Sequence, residues 1–151
     1  MSKRILVSSL VGVVAVGGIV AGGLAVASAS AATEPTVKNS SVRYVAPSDS
    51  GAGSLTFTAD VSDDSGVRGL KVIAWPASSK LDPTEAELRD VDSATCRSTS
   101  AETSRCTYTL PVTKKDAAES AQGAWYVSAL ATAKDGGTAF APRAATFTVA
   151  P

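Results

Sequence analysis

"AWYVSALATA", residues 124–133, leads through "KDGG", residues 134–137, into "TAFAPRAATFTVA", residues 138–150. In the first segment Trp125, Val127, Ala129 and Ala131 fall on one side of an extended chain, and Phe147 and Val149 keep the same alternation in the last. A period of two sends successive side chains to opposite faces of a strand, so each segment reads as a strand with one face toward a core. Asp and Gly between them supply a turn, which makes the pair a β-hairpin.

The same pattern extends upstream. "SLTFTADV", residues 54–61, alternates Leu55, Phe57, Ala59 and Val61 against Ser, Thr and Asp. "VRGLKVIAW", residues 67–75, follows a break at Ser62 to Gly66 and stops before Pro76. Val42, Tyr44 and Ala46 form a shorter alternating patch, and "VDSATCRS" (91–98) and "RCTYTLPV" (105–112) read as two further strands. "LDPTEAELRDV", residues 81–91, differs: Asp82 is placed to cap a helix, with Pro83 at its first position and Glu85 at its third, and Leu81, Leu88 and Val91 on one stripe. "TKKDAAESAQG", residues 113–123, repeats the capping logic with Thr113 and Asp116. About seven short strands with one or two short helices in their connections specify an all-β antiparallel sandwich.

Ahead of this domain the chain opens MSKR and is then uncharged from Ile5 to Ala32, with small residues in Ala-x-Ala spacing at Ala27, Ala29 and Ala31. A basic start, an apolar middle and such a spacing are the parts of a secretory signal peptide, here residues 1–31. The alternative is an uncleaved membrane anchor; five glycines in the segment weaken its helix, and no basic residue stops it before Lys38. The expectation is therefore a secreted, extracellular domain over residues 32–151, touching a membrane only if the signal segment is retained.

Residues 32–151 carry 12 basic and 14 acidic side chains. So even a balance gives no electrostatic footprint for nucleic acid or an anionic membrane. Cys96 and Cys106 are the only cysteines, and an even count in an exported chain argues for one structural disulfide. Zinc is disfavoured by the spacing and by the lack of histidine.

Catalytic chemistry finds few places to stand. Without histidine there is no Ser-His-Asp or Cys-His system, and paired cysteines leave no thiolate. Glu85 and Glu87 point apart on a helix, and Glu102 and Asp116 lie on loops. Asn39-Ser40-Ser41 matches a glycosylation acceptor, a match expected by chance. No enzyme and no cofactor are expected.

"ADVSDDSGVRGLKV", residues 59–72, resembles the second and third strands of bacterial immunoglobulin-like modules, and "GAWYVSALATAKDGG" followed by "ATFTV" resembles their last two. With its signal segment the chain resembles small secreted actinobacterial proteins carrying an immunoglobulin-like domain of unknown function. The resemblance implies a fold and an export route and brings no catalytic residues. It departs from antibody-type domains in lacking cysteines on the Phe57 and Trp125 strands, so the disulfide belongs elsewhere, and Trp125 is expected to pack in the core.

Immunoglobulin-like topology sets the Leu70 strand beside the Trp125 strand. If Leu70, Val72 and Ala74 face the core, Ile73 and Trp75 face outward with Tyr126 and Leu130, a possible binding patch. The competing expectation, and the favoured one, is that the Asp82 to Asp90 helix folds back and covers it with Leu81 and Leu88, since an amphipathic helix must bury its stripe. At one end of such a sandwich Asp63, Asp64 and Asp135 converge as weak candidates for a calcium site; the Asp-Ser-Gly sequence explains the same residues as a turn, so no metal is expected.

The function expected is a secreted binding or structural module without catalytic activity, whose partner is an unknown extracellular protein or cell-envelope component. The alternative is an inhibitor of an extracellular protease, suggested by small size, one disulfide and the loop "CRSTSAETSR", residues 96–105.

Overall fold

A computed structural model describes residues 31–151, so the expected signal peptide lies outside the described residues apart from Ala31. No helix of the described residues is long and apolar enough to cross a membrane. The strands are β1 (Thr36–Val45), β2 (Gly53–Ser62), β3 (Val67–Pro76), β4 (Thr95–Ser98), β5 (Thr103–Val112), β6 (Gly123–Ala133) and β7 (Thr138–Val149). Two short helices, α1 (Glu85–Leu88) and α2 (Lys114–Glu119), lie in the β3–β4 and β5–β6 connections.

All strand pairs are antiparallel and form two sheets, β1-β2-β5-β4 and β3-β6-β7. That order is the strand order of a constant-type immunoglobulin sandwich. Leu55, Phe57, Ala59 and Val61 of β2 are buried, as are Leu70 and Val72 of β3 and Val127, Ala129 and Ala131 of β6. These are the positions the alternation marks, and all of them but Leu55 belong to one core cluster between the sheets. Trp125 is half-buried at its margin: its ring stacks on Phe147 with centroids 5.9 Å apart, and Nε1 donates to the Ala121 carbonyl.

The chain crosses from one sheet to the other along the free edge of β3. Val72 N–H donates to the Asp92 carbonyl and Ala94 N–H to that of Leu70, so this edge is partly paired. β1 carries a bulge at Asn39–Ser40, where the register shifts between Lys38 and Ser41 and Asn39 adopts φ +52°. Asn tolerates the left-handed region better than most residues. The extra residue resets the alternation, so Val37 and Val42, five positions apart, both pack against the core.

The first helix begins two residues later than the sequence pattern places it. Thr84, not Asp82, is the N-cap; its hydroxyl accepts from Glu87 N–H, and Glu87 accepts from Thr84 N–H. Pro83 is buried outside the helix and Leu81 is 37% exposed, so the expected stripe of Leu81, Leu88 and Val91 is corrected. Both Asp82-x-x-Glu85 and Thr84-x-x-Glu87 satisfy the capping pattern; the second aims Leu88 into the fold, where it is wholly buried. The second helix has the expected box, Thr113 with Asp116.

Candidate functional site

The outward face of β3 and β6 is where the sequence puts a possible patch, and α1 sits on it. Trp75 is 3% exposed and Leu130 2%, while Ile73 and Tyr126 are half-buried. The covering helix is thus what the structure has, and Trp75 and Leu130 are corrected from exposed to buried. The reason is polar as well as apolar. Trp75 Nε1 donates to Ser128 Oγ at 2.8 Å, and Ser128 Oγ donates to the Pro142 carbonyl at 2.6 Å, so the indole N–H and the hydroxyl are both satisfied away from water. Thr138 Oγ1 donates to Glu85 Oε1 at 2.9 Å and ties α1 to β7. Tyr126 closes the margin, its ring 4.9 Å from that of Trp75 and beneath the Arg143 guanidinium at 4.5 Å.

At one end of the sandwich the structure brings Asp63, Asp64 and Asp135 together, with carboxylate oxygens within 4.8 Å of one another. The Thr33 hydroxyl stands among them, 3.0 Å from Asp63 Oδ2 and 2.6 Å from Asp64 Oδ1. Thr33 N–H donates to Asp135 Oδ2. The turn reading accounts for Asp63 in detail. Its Oδ1 accepts from the Ser65 hydroxyl at 2.6 Å and the Ser65 N–H at 2.9 Å, and Gly66 takes φ +93°. The Ser65 hydroxyl, then the Ser65 N–H and Thr33, hold the Asp63 carboxyl below its ordinary value against the opposing effect of burial. Asp135 caps its own turn by accepting from Gly137 N–H, and a Cβ on Gly137 would lie 1.8 Å from the Thr33 carbonyl oxygen.

Cys96 and Cys106 are bonded and face each other across β4 and β5, in one sheet. Cys106 is fully buried in the core cluster and Cys96 packs against it. The "CRSTSAETSR" segment is accordingly a hairpin. Its tip is tied down: Thr99 and Ser100 N–H both donate to the Thr103 carbonyl, and the Glu102 carbonyl accepts from Asp63 N–H.

The outer face of β1-β2-β5-β4 carries an order that reading single segments does not reveal. Registration sets Lys38, Asp60, Arg105 and Arg97 in one row across all four strands. The next row along is Ser41, Thr58, Thr107 and Thr95, all hydroxyls, with Ser41 and Thr58 2.8 Å apart. Beyond it stand Arg43, Thr56 and Thr109. The signal available in the sequence was the outward half of each alternation, Ser, Thr and Asp on β2 and Arg and Thr on β5. Only the strand order and the β1 bulge convert it into rows, because without the bulge Lys38 and Arg43 would point to opposite faces.

The model of a family of unknown function (DUF5707) matches residues 37–131, a span from β1 through most of β6. No curated protein and no solved structure matches the chain.

Proposed function

The chain belongs to the family of unknown function DUF5707, and we propose that it is a secreted, non-catalytic module that works by binding a component of the cell envelope or an extracellular protein. The observation that carries the non-catalytic part of this reading is the use made of two carboxyls with lowered values. Asp63 and Asp116 are both held below the ordinary carboxylate value, and in each the main cause is a hydroxyl of its own turn or helix cap, Ser65 and Thr113. Groups tuned for acid–base work are usually pushed toward the working pH, whereas these are pushed away from it. The cross-strand disulfide supports an oxidising location, and the strand order supports kinship with bacterial immunoglobulin-like modules.

The protease-inhibitor reading has less support. An inhibitory loop offers its backbone to a protease in extended form, whereas the β4–β5 tip turns tightly on its own hydrogen bonds.

Fractionation of the producing cells tests the proposal. The protein is expected in the medium, with a new N-terminus near residue 32 and no free thiol, and it should co-sediment with isolated envelope. Retention inside the cell with the N-terminal segment intact and both thiols reduced would overturn it.

A further inference from the structure

We infer that the outer face of the β1-β2-β5-β4 sheet is a docking surface for an anionic polysaccharide, an inference that rests on the binding-module reading above. The face carries four basic side chains, Lys38, Arg43, Arg97 and Arg105, and one acidic, Asp60. Residues 32–151 as a whole carry more acidic than basic groups, so positive charge has been gathered onto this face.

Asp60 is already engaged, accepting from Asn39 Nδ2 at 2.9 Å and pairing with Arg105 at 3.3 Å. Among the described residues, Lys38, Arg43 and Arg97 have no carboxylate within ion-pair distance. Arg97 stands directly opposite Arg105 in the β4–β5 register. Like charges so placed destabilise a strand pair, and the Asp60 carboxylate pairs with only one of the two guanidiniums, that of Arg105. An external anion relieves that repulsion, and guanidinium forks match carboxylates in a bidentate way.

The spacing suits a chain molecule better than a small ion. Rows on one face of a sheet repeat about every 6.7 Å along the strands and strands lie about 4.8 Å apart, so the Arg97–Arg105 row and Arg43 stand about 13 Å apart along the strand direction. Between them runs the row Ser41–Thr58–Thr107–Thr95, four hydroxyls that both donate and accept. Cations on either side of a hydroxyl row complement a polymer that alternates acid groups with hydroxyls. The face has no aromatic side chain, which removes the stacking platform of single-stranded nucleic acid binding and the aromatic anchors of protein interfaces.

Affinity electrophoresis of the exported, disulfide-bonded protein tests this with alginate, a polymer of uronic acids, against dextran and single-stranded DNA. Alginate is expected to retard the protein, and raising salt from about 50 to about 500 mM should weaken the apparent affinity at least about tenfold, as release of counterions from a few charge contacts requires. Arg43→Glu and Arg97→Glu should each weaken it about tenfold, the first with unchanged melting temperature and the second with an equal or higher one because it places a carboxylate opposite Arg105, while Lys115→Glu on α2 leaves binding unaltered. Equal retardation by dextran, stronger retardation by DNA, or indifference to both arginine substitutions overturns the assignment. Envelope co-sedimentation separates the two levels. If the arginine variants still bind envelope and alginate does not bind, this face is wrong and the module reading stands; if the unaltered protein binds neither, both fall.

Discussion

Trp75 and Ser128 meet at 2.8 Å on the outer side of β3 and β6, the indole N–H donating to a hydroxyl that itself donates to the Pro142 carbonyl. This bond belongs to a second, smaller packing layer in which α1, its Leu88 wholly buried, lies against β3 and β6, whose Trp75 and Leu130 are buried. The three-stranded sheet is therefore packed on both faces, whereas the four-stranded sheet keeps one face open to solvent.

Truncating this layer should behave as a core deletion. Trp75→Ala is expected to lose about 3 to 5 kcal/mol by chemical denaturation, whereas a surface tryptophan costs within about 0.5. Trp75→Phe keeps the ring volume in part and removes the donor, and should lose about 1 kcal/mol more than its smaller ring explains. A loss below about 0.5 kcal/mol for the alanine variant would show that α1 does not cover the face.

The alternation that defines β2, β3, β6 and β7 is legible in sequence because each strand has one face on a single core, as Phe57, Val72 and Val127 show. What covers the opposite face is not, since Trp75 alternates identically whether water or α1 lies against its strand. The α1 start was ambiguous because two overlapping capping boxes share one stretch, and burial of Leu88 chose between them. The charged and hydroxyl rows depended on pairing partners far apart in sequence, such as Asp60 with Arg105 at a separation of 45, and on the bulge at Asn39. Near-neutral net charge hid the segregation, being a sum over faces that differ in sign.

For the disulfide, thiol titration of the unfolded, unreduced protein should find no reactive thiol on Cys96 or Cys106. In the chain-entropy view, reduction or a Cys96→Ala/Cys106→Ala pair should lower stability by about 2.5 to 3 kcal/mol, for so short a loop. Two titratable thiols per chain would contradict the pairing.

The Asp63, Asp64 and Asp135 cluster is expected to be a turn assembly. Changing excess chelator for millimolar calcium should leave the melting temperature in place, whereas a site filled at 100 times its dissociation constant would add about 2.7 kcal/mol and raise it by about 10 °C. A rise of that size, abolished by Asp63→Asn, would convert the cluster into a metal site.

Acid should weaken the same turn. The folded-state value of Asp63 lies below its ordinary 3.8, so the ionised carboxyl stabilises the fold above that pH, and the contribution is lost as pH falls through the lowered folded value. Melting curves between about pH 5 and 2 should therefore show a fall that is smaller in Asp63→Asn, which has no carboxylate to protonate. Identical acid slopes for the two proteins would contradict this account of the turn.

The open face of the four-stranded sheet as the working surface is tested most directly by amide hydrogen exchange of the disulfide-bonded protein with and without isolated envelope. Protection is expected to increase on β2 and β5, over Thr56–Asp60 and Arg105–Thr109, with β3, β6 and α1 unchanged. Protection confined to α1, Ile73 and Tyr126, with β2 and β5 unaltered, would contradict it.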